Sequence, residues 1–234
     1  MATVTFLALP SHQSLRADIR TLMDNLAAGT RESQKPLAAR ALETAAREVL
    51  QAMVVNLVKR LENPAKPNAD IHKTLDSLDR HIGSFCKVIV GVLGNDKIAA
   101  AMRHFQTLLM DIDDADGQPQ PWIGFHADDA FLAELLAVAA HLRDESAAYD
   151  AHRTMALLDG VTDRVLHQFA EIPVRQMDFG FVMRKTADAG ISVVRSAMHG
   201  MCHRAIPHLS PRQRRGLADH LESFVLELPA ERYA

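Results

Sequence analysis

The chain has 234 residues, of which 48 % are hydrophobic and 24 % charged, with a net charge of -3 and a pI near 6.4. That length suits one sizeable core, the composition excludes wholesale disorder, and the mild acidity argues against a general nucleic-acid binder. Its two cysteines, Cys86 and Cys202, form no CxxC, which excludes a zinc knuckle or dithiol couple and fits a reduced, cytoplasmic protein.

The N-terminal MATVTFLALP is apolar but lacks a basic n-region and a small-residue cleavage site, so it does not read as a signal peptide. Ser11 is placed to cap a first helix through about Ala28, with Gly29 ending it. Pro36 suits the first turn of a second, on which Leu42, Val49, Met53, Leu57 and Leu61 recur at helical spacing and Glu43 pairs with Arg47. Asn63-Pro64 and Pro67-Asn68 punctuate its end.

The clearest helix spans about Asp70 to Leu93. Ile71, Leu75, Leu78, Ile82, Phe85, Ile89 and Val92 step by fours and threes, the seam of a helix packed lengthwise in a bundle. Gly83 and Gly91 interrupt it and are expected to admit close neighbours. The apolar run Phe85 to Leu93 contains Lys87 and is far short of the roughly 20 residues of a membrane span. After Gly94-Asn95, a fourth helix carries Ile98, Met102, Phe105, Leu108, Leu109 and Ile112.

Residues 113–127, DDADGQPQPWIGFHA, read as a long irregular loop dividing an N-terminal helical half (1–112) from a C-terminal one (128–234), together one compact domain. Trp122 and Phe125 in this loop are candidate anchors for a protein partner. Asp128 caps a helix to Arg143. Another runs from about Glu145 to Ala170, closed by Pro173, and a long one from about Asp178 to Ile206. The last starts at Ser210-Pro211 with Gln213 completing a capping box, and runs to about Glu227. With no alternating strand pattern apparent, the fold expected is all-α, a multi-helix bundle of about seven to nine mostly antiparallel helices.

Chemistry concentrates in MHGMCHRAIPH, residues 198–208. At about 100° per residue, Met198 and Cys202 fall on the buried stripe of the long helix, while His199 and His203 fall on its flank and back. His199 and His203, four apart, are the candidate metal pair, with zinc or haem as the cofactors considered; they need further ligands from another helix or subunit. Between Asp111 and Asp150 ten acidic residues stand against Arg143, whereas between Arg184 and Arg215 seven basic residues stand against Asp188. These segments attract, so Arg195, Arg204, Arg212 and Arg215 are candidates either for internal pairing or for an anionic ligand.

DIDDADG is not an EF-hand, because counting back from Gly117 puts Ile112 at the first ligand position and Ile123 at the twelfth. Walker A, GxGxxG, GxSxG, HExxH and paired Glu-x-x-His motifs are all absent. The reading is a non-catalytic helical binding or interaction protein, bacterial and homodimeric, that engages a protein partner or small ligand. The alternatives are a metal or haem protein centred on His199 and His203, and an Mg²⁺-dependent enzyme holding a diphosphate through Asp111–Asp116 with Asp128 and Asp129.

Overall fold

The computed structural model describes residues 3–62, 68–114 and 116–232; the Asn63-Pro64 breaker lies outside them. Helices account for 73 % of these residues. They are α1 (Gln13–Ala27), α2 (Lys35–Leu50), α3 (Asn56–Leu61), α4 (Ala69–Gly91), α5 (Asn95–Leu108), α6 (Asp129–Arg143), α7 (Ala151–Leu166), α8 (Ile172–Gln176), α9 (Phe181–Ala205) and α10 (Pro211–Glu222). A π-turn at Gln51–Val55 joins α2 to α3, and another at His167–Glu171 joins α7 to α8, leaving eight helical rods among the described residues.

The all-α expectation is corrected by a four-stranded antiparallel sheet in the order β2-β3-β1-β4, built from β1 (Thr3–Pro10), β2 (Leu109–Asp113), β3 (Pro119–His126) and β4 (Val225–Pro229). Alternation explains it. Leu7, Leu9, Ile123 and Phe125 enter the large core beneath the helices, whereas Ala8, Met110, Trp122 and Leu228 cluster on the opposite face. Residues 113–127 are therefore not an irregular loop. Asp114 Oδ1 accepts the N–H groups of Asp116 and Gln118, Gly117 takes φ +73°, and the chain returns as β3. Gly124 lies opposite Ala8, where a Cβ would sit 2.5 Å from the Ala8 Cβ and 2.6 Å from the Leu7 carbonyl oxygen. Only glycine fits there.

The helices form largely where the apolar spacing places them, but their ends differ. The cap of α1 is His12 rather than Ser11, whose hydroxyl instead donates to Glu48 Oε2 at 2.6 Å. Helix α4 stops at Gly91, leaving Val92 exposed outside its seam. Gly83 does admit a neighbour, since a Cβ there would be 3.2 Å from Glu43 Oε1, while Gly91 faces open space. Helices α5 and α10 end earlier than the periodicity suggests because Leu109 and Val225 begin strands. The caps at Asp128 and the Ser210/Gln213 capping box are in place.

Pro173 does not close its helix. A proline within a helix clashes with the carbonyl four residues earlier, here that of Phe169, and the wider π-turn surrounds that residue. Each π-turn also presents a carbonyl to a histidine from another helix. His104 Nε2 lies 2.8 Å from the Gln168 oxygen, and His220 Nε2 lies 3.1 Å from the Met53 oxygen. One carbonyl of each π-turn is thus paired with a histidine side chain.

One continuous core draws Leu15, Ile98 and Phe105 together with Leu135, Val161 and Leu217. Each such side chain contributes about 1.5–3 kcal/mol on burial. A second cluster joins the α4 seam, from Ile71 to Cys86, to Val54, Met198 and Met201.

Candidate functional site

Helices α7 and α9 pack together, and an acidic row meets a basic one along their contact. On α7, Asp159 and Asp163 are one turn apart; on α9, Arg195, His199 and His203 occupy successive turns. His203 Nε2 lies 2.8 Å from Asp159 Oδ2, and His199 Nε2 lies 3.7 Å from Asp159 Oδ1 and 3.6 Å from Asp163 Oδ1. Arg195 completes the ladder, donating to Asp163 at 2.9 Å and to Glu171 in the π-turn at 2.6 Å. The two imidazoles are parallel, 7° apart, with centroids separated by 6.5 Å. Glu171 also takes His167 and Arg175, and its pKa is lowered, first by the hydrogen bond from His167 and further by Arg195.

The helix facing the His pair is therefore the one bearing His152 and His167, but it presents aspartates rather than histidines. The spacing of four between Asp159 and Asp163 is present in the sequence. Among the described residues no three His, Cys, Asp or Glu side chains converge as a preformed metal cage; these four engage one another. Cys86 and Cys202 are not nucleophiles poised for attack. Burial pushes both thiols up to about 12, and Glu43 and Asp159 respectively add to the effect.

Beside this ladder lies a feature with no sequence signature. A cavity of about 120 Å³ opens between α2, α4, the second π-turn with α8, and α9. Its walls include Ala45, Ile82, Phe85, Phe169, Pro173 and Val194, and no charged side chain lines it. A cleft of about 580 Å³ adjoins it, lined by Glu171, Arg175, Arg184, Asp188 and Arg195. Val174 and Ile191 line both, so an apolar interior adjoins a cleft with three guanidinium groups against two carboxylates. Among the described residues Arg184 has no ion-pair partner, whereas Arg175 and Arg195 share Glu171.

The other expected anion-site residues do not join this cleft. Arg215 pairs with Glu145 from the acidic stretch, Arg204 donates to its own helix at Gly200, and Arg212 is exposed in the first turn of α10. Internal pairing of opposite charge therefore accounts for Arg215, as it does for Arg143 with Asp219 and Glu222. The nearby Arg214 is buried, 5.6 Å from the centroid of the Tyr149 ring.

Trp122 is half-buried on β3 against Met110 and Pro10, and Phe125 is buried with its ring 6.2 Å from that of Phe169. Both belong to the sheet rather than to an exposed loop. The Asp-rich patches are likewise occupied separately: Asp111 pairs with Arg16, Asp114 holds its own turn, and Asp128 caps α6 while binding Arg164. Among the described residues no group of three or more acidic side chains converges to hold Mg²⁺ for a diphosphate. Exposed apolar side chains instead gather on α9 at Phe181 and Val182, where Lys185 lies 4.5 Å over the Phe181 ring, and at Val88 on α4 with Val92 just past its end. Among the described residues no helix is long and apolar enough to cross a membrane.

In comparisons with known proteins, no family model, no curated protein and no solved structure matches this chain.

Proposed function

We propose that the chain is a non-catalytic binding protein for a small amphipathic anion, with the apolar end in the cavity and the charged end among Arg175, Arg184 and Arg195. The observation that carries this is the shared lining, Val174 and Ile191, of a cavity free of charged side chains and an adjoining arginine-bearing cleft. Ligand sites characteristically combine a largely apolar recess with a few placed polar groups that fix orientation. A dry cavity of this class accepts small apolar groups, and its volume corresponds to roughly four water-sized units, a tail of about four carbons. Arginine in the cleft suits a carboxylate or phosphate through paired N–H donors.

Calorimetric titration with hexanoate tests the reading against hexanol, which has the tail without the charge. Hexanoate is expected to bind saturably and at least fivefold more tightly than hexanol. Arg184→Ala should remove most of that difference, and Ala45→Leu should block both compounds by filling the cavity. Failure of hexanoate to saturate at millimolar concentration, or equal binding by Ala45→Leu, would overturn it.

A further inference from the structure

Glu171 is held in the cleft as a ligand carboxylate would be. Its Oε1 accepts Arg195 Nη2 at 2.6 Å, and its Oε2 accepts Arg175 Nη2 at 3.3 Å and lies 3.0 Å from His167 Nδ1. Arg195 is committed a second time, because its Nε donates to Asp163 Oδ1 at 2.9 Å. Two of the three guanidinium groups lining the cleft are therefore held by carboxylates of the chain itself. Arg184, four residues before Asp188 on α9, is left to meet an incoming anion.

We propose, building on that binding reading, that Glu171 sets the head-group class: the cleft takes the single charge of a monocarboxylate and discriminates against the dianion of a phosphate monoester. The two oxygens of a carboxylate match the parallel N–H donors of one guanidinium, and Arg184 supplies that fork. A phosphate monoester carries three such oxygens and, above its second pKa near 6, a charge of about −2. To meet it, Arg175 and Arg195 must leave Glu171, which sets the dianion against a bared carboxylate.

The charges around the cleft point the same way. Arg175, Arg184 and Arg195 stand against Glu171 and Asp188 in its lining and against Asp163 behind Arg195, while His167 adds a charge only when protonated. Attraction to a site grows in proportion to the charge of the head group, whereas the cost of withdrawing that charge from water grows as its square, about fourfold for a dianion. A balanced cleft offers the second negative charge nothing to offset that cost. Glu171 also closes the π-turn three residues before Val174, so the resident carboxylate and part of the lining shared with the cavity belong to one short segment.

The test is calorimetric titration of the full chain at pH 8 with hexanoate, hexanesulfonate and hexyl phosphate. Hexanesulfonate has the tetrahedral shape of the phosphate and the single charge of the carboxylate, so it separates charge from shape. Both monoanions are expected to bind about tenfold more tightly than hexyl phosphate. Glu171→Gln should strengthen hexyl phosphate enough to erase that gap, while hexanol, which reads the cavity alone, binds unchanged. Asp188→Asn should narrow the gap in the same direction, and it decides the matter if Glu171→Gln fails to fold. Hexyl phosphate binding as tightly as hexanoate, hexanesulfonate binding as weakly as hexyl phosphate, or a gap that the variants leave unchanged would each overturn the inference and leave the binding reading standing. Absence of saturable binding by all three compounds overturns both.

Discussion

Acid should loosen this protein through one histidine. His220 is 3 % exposed, its ring meets that of Phe224 edge-on at 4.7 Å, and its Nε2–H donates to the Met53 carbonyl. Burial pushes its pKa down to about 4, and the positive charge of Arg60 adds to the effect. In the unfolded chain the group returns to about 6.5. Between these values the unfolded chain binds the extra proton, so stability contributed by neutral His220 is complete above about pH 6.5 and falls as pH drops toward 4. The full difference is about 3 kcal/mol, of which about 2 kcal/mol is lost between pH 7 and pH 5. At this chain length that lowers Tm by roughly 4–8 °C. Urea unfolding across pH 5 to 7.5 should show this slope, and His220→Gln, which keeps a donor for Met53 but cannot titrate, should be flatter by the same amount. Parallel curves for the two proteins would refute the reasoning.

Two other outcomes follow from the packing. Gly124→Ala should cost about 1–3 kcal/mol in chemical denaturation, because its Cβ meets the backbone of β1 rather than a movable side-chain end; an unchanged midpoint would contradict the register. Cys86 and Cys202, with thiols pushed up to about 12, should react with an aromatic disulfide at pH 8 about a thousandfold more slowly than an ordinary free thiol, and rapidly once unfolded. Modification of either at the free-thiol rate in the native protein would contradict their placement.

What the sequence discloses here is local. Helix α4 has its apolar seam within one continuous segment, and Ser210 with Gln213 states a helix start in four residues; both are in the structure. The strands are five to eight residues long, and β1 finds both its partners, β3 and β4, far away in the chain, so no window of periodicity contains the information that pairs them. β1 does alternate in TVTF, but Pro119 and Pro121 disguise β3 as a turn region. At the candidate site, the spacing of His199 and His203 was legible because it lies on one helix. Their meeting with the aspartates of α7, and the cavity walled by several helices, exist only after packing.

The sheet also sets a timetable. β1 lies between β3 and β4, so Thr3 pairs with Pro229 and Phe6 pairs with both His126 and Leu226. At synthesis rates of about 5–20 residues per second, β1 waits on the order of 10–40 s between leaving the ribosome and meeting β4. Throughout that interval Leu7 and Leu9 have no complete core to enter, and at least one edge of β1 is open to pairing with another chain. The helical segments have nearby contacts and can form early, whereas this strand depends on β4, far along the chain. Nascent chains crowded on one message are therefore where aggregation would begin, and chaperone cover of the first ten residues is where it would be suppressed.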